Sequence, residues 1–291
     1  MPSSATIAST DFTYFSNSSG IIKSAEVMGN FNIFRGHFIP VNTDTSSSSD
    51  NTHDLGAVGH QWKDARIAGT IYKNGTAAYQ LGSVQMFTAT ATYTRPTACV
   101  AVFVRAWGPG GGGGGALGTA SNSAGGSGGG GGGYSELFSL LTTATVSVVI
   151  GTGGNGGTLT GSDGVAGSGA TSFGTLVVAN AGQGGTGDAA PTTVSDVTGL
   201  GGAGGVIGTG GLSIPGEQGG VGFVISHASI VSGRGGSSPN GGSGGANKVG
   251  SADGNAGEIP GGGGSGASTN SATDRNGGAG ARGQVIVFEY Y

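Results

Sequence analysis

The chain has 291 residues, room for two or three small domains, and 69 of them are glycine. Its 11 basic and 15 acidic residues leave a net charge of −4, so no basic face is available for a phosphate backbone and nucleic acid is not an expected partner. The single cysteine, Cys99, excludes an intrachain disulfide, and no apolar run approaches the roughly 20 residues that a membrane-spanning helix needs.

In chain order, residues 1 to about 20 are rich in Ser and Thr and read as extended. The opening MPSSATIASTDF lacks the basic start and apolar block of a signal peptide, so the expectation is a chain not exported by that route or one whose leader has been removed. The stretch GIIKSAEVMGNFNIF (Gly20 to Phe34) predicts a short helix, with Ser24 as N-cap and Val27, Phe31 and Phe34 at near-helical spacing. So short a helix cannot bury its apolar face alone. Copies of itself in an oligomer would serve.

Residues 37–82 hold short strand pieces separated by turn residues. Within them, DLGAVGHQWKDARIAGTIYKNG (Asp54 to Gly75) resembles a module of phage tail fibres and related bacterial trimeric fibre proteins, DLGS-x-x-x-x-W-K-D-x-x-x-SG-x-x-x-x-x-G. Asp54, Leu55, Gly56, Trp62, Lys63, Asp64, Gly69 and Gly75 carry the match. Ala57 and Val58 depart from it where the family usually has serines. The resemblance implies a small trimeric β-unit.

Beyond Ser83 the pattern changes. In AVFVRAW (Ala101 to Trp107) the residues alternate, with Val100, Val102, Val104 and Ala106 on one face and Ala101, Phe103, Arg105 and Trp107 on the other. Arg95–Pro96 supplies the preceding turn. Further strands are expected in VSVVI (Val146 to Ile150), TLVVA (Thr175 to Ala179) and QVIVFEYY (Gln284 to Tyr291). The order of motifs is similar to that of glycine-rich tail-fibre domains: GGYSELF (Gly132 to Phe138), TVSVVIGTGG (Thr145 to Gly154), ATSFG (Ala170 to Gly174) and GARGQVIVFEYY (Gly280 to Tyr291). That family includes distal fibre proteins and tip adhesins of phages. Related glycine-rich segments form polyglycine II bundles mounted on a jelly-roll-like β-sandwich, and the resemblance implies the same here.

Only eight glycines precede Trp107, so 61 of the 69 lie in residues 108–291. An α-helix would cost about 1 kcal/mol per glycine relative to alanine. Ordered glycine runs must instead be held by their own backbone donors and acceptors. A left-handed helix of three residues per turn points those groups outward toward neighbours. Collagen needs glycine strictly at every third residue, and GTGGNGG and GGAGGVIGTGG break that period. A bundle of antiparallel polyglycine II helices within each chain is therefore expected. Twelve runs can be marked: 108–115, 125–133, 151–157, 161–169, 182–187, 199–211, 216–222, 233–236, 241–245, 250–257, 261–266 and 277–283. If each reverses the last, turns 212–215, 237–240 and 258–260, all containing proline, fall near the strands, and loops 116–124, 158–160, 188–198, 223–232, 246–249 and 267–276 fall at the far end.

Other signals carry less. GTGGNG (Gly151 to Gly156) satisfies a dinucleotide-binding pattern, but TLTGSDGVAGSG follows where a helix is required. GSDGVAGSG (Gly161 to Gly169) has no nonapeptide series around it, His37, His53, His60 and His227 form no metal-binding pair, and no nucleophile elbow or paired carboxylates stand out. No enzyme activity, cofactor or metal is expected.

The far-end loops carry the residues suited to binding polar surfaces: Asn122; Asp188 and Asp196; Phe223 and His227; Asn247 and Lys248; Asn270, Asp274 and Arg275. The fold class expected is mainly β and homotrimeric: residues 1–36 an attachment segment with the short helix, 37–82 a trimeric β-module, and 83–291 a β-sandwich carrying polyglycine II helices. The expected role is attachment of a virion to a bacterial surface glycan or outer-membrane protein. Residues 1–36 would join a virion tail or an upstream fibre protein. A bacterial surface adhesin of the same modules and a non-binding appendage or cap protein remain alternatives.

Overall fold

Alternating apolar residues and glycine runs divide the labour in the fold, the first building sheets and the second a separate backbone-bonded array. The computed structural model describes Tyr72–Lys73, Thr76–Ala77 and residues 80–191 and 196–291, all within one unit, Thr70–Tyr291. The expected helix at Gly20 to Phe34 and most of the module at Asp54 to Gly75 lie outside these residues. Among the described residues the chain is mainly β and contains no helix.

A two-residue hairpin comes first, β1 (Tyr72–Lys73) with β2 (Thr76–Ala77). Then follow β3 (Leu81–Phe87), β4 (Ala91–Thr94), β5 (Ala101–Trp107), β6 (Ala124–Gly125), β7 (Tyr134–Leu140) and β8 (Thr145–Val149). Next are β9 (Thr171–Phe173), β10 (Val177–Ala179), β11 (Asp196–Thr198), β12 (Leu212–Ile214), β13 (Gly222–Ser226) and β14 (Ser229–Val231). β15 (Ser268–Thr269) and β16 (Gln284–Tyr290) complete the set.

Two antiparallel sheets enclose the apolar core: a five-stranded sheet in the order β12-β7-β5-β16-β3 and a four-stranded one in the order β10-β9-β8-β4. The first contributes Val102, Val104, Ala106, Val285 and Val287, the second Tyr93, Val146, Val148, Phe173 and Val177. Tyr93 and Phe173 meet at 5.3 Å. The even-numbered face of β5 is thus the core face, as its alternation predicts. Glu289 is also fully buried. Its carboxyl oxygens accept hydrogen bonds from Ser83 Oγ, Gln85 Nε2 (2.8 Å) and Tyr291 Oη (3.1 Å), which satisfy a polar group that would otherwise be buried without partners. Burial and the nearby Glu289 push the Tyr93 phenol upward.

The glycine runs lie outside these sheets and bond to one another. The run 108–115 sets the pattern. Gly110 and Gly113 donate to Ala281 and Gly278, Gly111 and Gly114 to Gly130 and Ser127, and Gly112 and Gly115 to Val165 and Ser162, all at 2.8–2.9 Å. Its carbonyls accept from three more runs: Gly110 and Gly113 from Gly154 and Gly157, Gly111 and Gly114 from Gly264 and Ala267, Gly112 and Gly115 from Gly185 and Asp188. The repeat is three residues, and six neighbours surround the run. The runs 125–133 and 261–266 are buried in the same way. A Cβ built on Gly113 would lie 2.0 Å from the Ser265 carbonyl oxygen, and one on Gly111 2.0 Å from that of Gln183. Backbone meets backbone at a spacing that admits no side chain.

Directions alternate. Successive bonded runs are antiparallel, as when Gly164 and Gly167 donate to Gly185 and Gly182. Runs two apart are parallel, as when Gly254 and Gly257 donate to Asn276 and Ala279. Two of the turns at the sheet end differ from simple connections. Residues 212–214 form β12, pairing with Tyr134–Glu136 and widening the larger sheet by a strand. In turn 237–240, Asn240 takes φ 51°, a left-handed conformation that asparagine tolerates, and Pro239 O accepts a 3.0 Å bond from Trp107 Nε1. Trp107 also packs on Tyr134 (5.2 Å) and under the Arg105 guanidinium (5.5 Å), tying sheet to array.

Candidate functional site

At the end of the array away from the core, the connecting loops bond to one another. Ala116, at the tip of the first buried run, bridges Asp188 on one side and Arg275 on the other: Leu117 N donates to Asp188 O, and Ala116 and Arg275 exchange both backbone bonds, each at 2.9 Å. Ala116, Ala124 and Ala267 are fully buried together, a small-residue plug where the glycine runs end. β6 pairs with β15, and β11, β13 and β14 form a three-stranded sheet. Bridges between Val231 and Val249 and between Ala252 and Ser268 complete the face.

The polar residues that the sequence singles out divide into two groups here. Several hold the loops together. Asp188 is only 8% exposed, and its carboxylate accepts Gly125 N (2.9 Å) and Ala190 N (3.1 Å). Burial pushes this carboxyl above the ordinary aspartate range, against those two hydrogen bonds, which favour the anion. Asp274 accepts Gly118 N at 2.7 Å, the Asn122 amide donates to Pro191 O at 3.0 Å, and Asn270 Oδ1 accepts Ser251 Oγ at 2.8 Å. The backbone of Lys248 is fastened to Ser232 through both its N–H and its carbonyl. The Arg275 Nε is buried with no partner among the described residues.

The second group faces outward. Asp196, Phe223, His227 and Asn247 are exposed. The Asp196 carboxylate accepts the adjacent Val197 N (2.8 Å), and the His227 ring lies 3.4 Å from Ser123 Oγ. Asp196, Val197, Phe223, Val224 and Ile225 line an open cleft of about 370 Å3. Val197 and Phe223 are direct cross-strand partners on it. Polar composition alone misses Val197, Ile225 and the exposed Val249. The alternation in GFVIS (Gly222 to Ser226) was the available signal, since it predicts a strand with Phe223 and Ile225 on one face.

A family model described as a glycine-rich domain matches residues 86–291, from within β3 to the last residue. The chain belongs to the glycine-rich domain family. Curated proteins gave no match. In this glycine-rich domain the GTGGNG segment leads through a turn at 158–161 into another extended run, not a helix. Among the described residues no group of three or more His, Cys, Asp or Glu could hold a metal ion. What the far face offers is shape, a mixed polar and apolar surface on a backbone mount.

Proposed function

We propose that the glycine-rich domain is the tip of a phage-type trimeric fibre protein, and that its glycine runs are polyglycine II helices presenting loops to a bacterial cell-surface receptor. The three-residue hydrogen-bond repeat with six neighbours around each buried run supports the helix assignment, because a threefold helix turns one backbone donor toward each of three directions per turn. The observation that carries the functional reading is the far face itself. Loops from 116–124, 188–198, 223–232, 246–249 and 267–276 are gathered and bonded at one end, with Asp196, Val197, Phe223, Ile225 and Asn247 left outward. Recognition residues are commonly carried on loops fixed by a rigid scaffold.

In this reading the protein works by adhesion without bond chemistry. Weak single contacts to a surface glycan or an outer-membrane protein are multiplied by the copies in a trimer and by several fibres. Residues 1–36 join a virion tail or a preceding fibre segment, as the resemblance of residues 54–75 to fibre modules implies. A structural cap without a receptor is the second reading, favoured by the inward use of Asp188, Asn122 and Asp274.

The deciding experiment measures binding of the labelled full chain to a panel of bacterial cells. A variant carrying Val197→Asp, Phe223→Ser and Asn247→Asp is expected to lose binding at least tenfold while unfolding at the same denaturant concentration as the parent. Equal binding by both would leave the cap reading standing and remove the adhesin reading from this face.

A further inference from the structure

The larger sheet has a second side. Its core face carries Val102, Val104, Val285 and Val287, so an antiparallel sheet bordered by water should show polar residues on the other. It does not. Strand register sets Val84, Phe288, Phe103 and Phe138 in one row across β3, β16, β5 and β7. The next row on that face is Leu81, Tyr290, Ala101 and Leu140. The rings of Phe103 and Phe288 lie 5.8 Å apart, and those of Phe138 and Tyr290 5.6 Å apart. A third row, Met86, Ile286, Arg105, Glu136 and Leu212, contains the only charges on this face among the described residues, and these pair with each other at 3.5 Å.

Met86 is 63% exposed and Leu140 61%; Val84, Phe138 and Leu212 are exposed as well. Together these side chains form an apolar patch on the order of a few hundred Å2, the size class at which such patches mark interaction sites. With its one ion pair internally satisfied, the face has no net charge to select an acidic or basic partner. It is complementary to another surface like itself, on a chain whose net charge is otherwise −4.

We infer that the outer face of the β12-β7-β5-β16-β3 sheet is where copies of this chain pack against one another. The inference rests on the homotrimer reading above and gives it a location. Copies meeting here leave the far loop face uncovered, since that face lies at the other end of the glycine array.

The test uses the full chain, with light scattering on the size-separated protein at micromolar concentration. The variant Met86→Glu with Leu140→Glu is expected to reduce a trimer to a monomer, a threefold fall in mass, while keeping its circular dichroism spectrum. Ile207→Glu, on an exposed apolar residue of the glycine array, should leave the mass unchanged. In parallel, peroxide oxidation of Met86 in the parent protein should run at least tenfold slower than in the unfolded chain. A parent protein that runs as a folded monomer sinks the homotrimer reading and this one together. A parent that assembles but whose mass is untouched by the double substitution, or falls with Ile207→Glu, overturns the inference alone. So does an assembled parent in which Met86 oxidises as fast as in the unfolded chain. If the double variant fails to fold, Met86 oxidation decides.

Discussion

In the sandwich, Phe173 and Val148 are held by the side chains around them; in the glycine array, Gly111 and Gly129 are held by backbone alone. The first region gains stability by removing apolar area from water, at about 25 cal/mol per Å2. The second has almost no such area to remove, and it orders the residue type that loses the most freedom on folding. It compensates by saturation. Each interior N–H of 110–117 finds a carbonyl at 2.8–2.9 Å, with neighbours on all sides. The comparison teaches that the two regions should fail differently, the sandwich when atoms are removed and the array when they are added.

The sharpest way to break the comparison is to add one methyl group. Gly113→Ala places a Cβ 2.0 Å from a backbone carbonyl that six-sided packing prevents from moving. We expect roughly 3–5 kcal/mol of destabilisation in denaturant unfolding. Gly125→Ala, whose Cβ would meet nothing closer than 3.4 Å, should stay within about 1 kcal/mol of the parent. Equal effects would mean that the array is not closely packed.

Removing atoms should hurt the other region. Phe173→Ala empties a fully buried site against Tyr93 and is expected to cost about 3–4 kcal/mol. Hydrogen exchange should report the loss in β4, β8 and β9 before the runs 110–115 and 126–132.

Between these sits the far face. Asp188→Ala strands the Gly125 and Ala190 N–H groups and should cost about 1–2 kcal/mol, read as faster amide exchange at those two residues. The pH dependence has a definite sign. Because burial raises the folded-state pKa above its ordinary 3.8, the protonated form favours the fold. This carboxyl's contribution is therefore most favourable below that value and declines as pH rises through the raised one. Protection of the far-face loop amides, corrected for intrinsic exchange, should accordingly be greatest near pH 4, decline in the parent as pH rises through the raised value, and stay flat in Asp188→Ala.

The smallest effect is expected at the ion pair of Arg234 with Glu217 on the rim of the array, where both side chains are substantially exposed. Arg234→Ala should change stability by no more than about 0.5–1 kcal/mol, and less in high salt. A larger loss would show that surface charge, and not backbone saturation, holds the outer runs.

Much of this architecture was legible from residues alone. Val102, Val104 and Ala106 announced a core face through a period of two, and that signal is local. The glycine runs excluded a helix on propensity and demanded bonded neighbours, and run parity assigned the turns containing Pro215, Pro239 and Pro260 to one end and the variable loops to the other. Sequence could not foretell which run bonds to which, because glycines carry no side chain to distinguish one neighbour from another. Nor could it separate Asp188, turned inward as a clasp, from Asp196, left outward: both are aspartates in the same loop, and only the approach of Gly125 N and the burial beside Ala116 give the first a distant donor and remove its water. The apolar outer face of the large sheet belongs to the same class. Val84, Phe103, Phe138 and Phe288 lie far apart in the chain, and strand register, a property of the folded whole, is what sets them in one row.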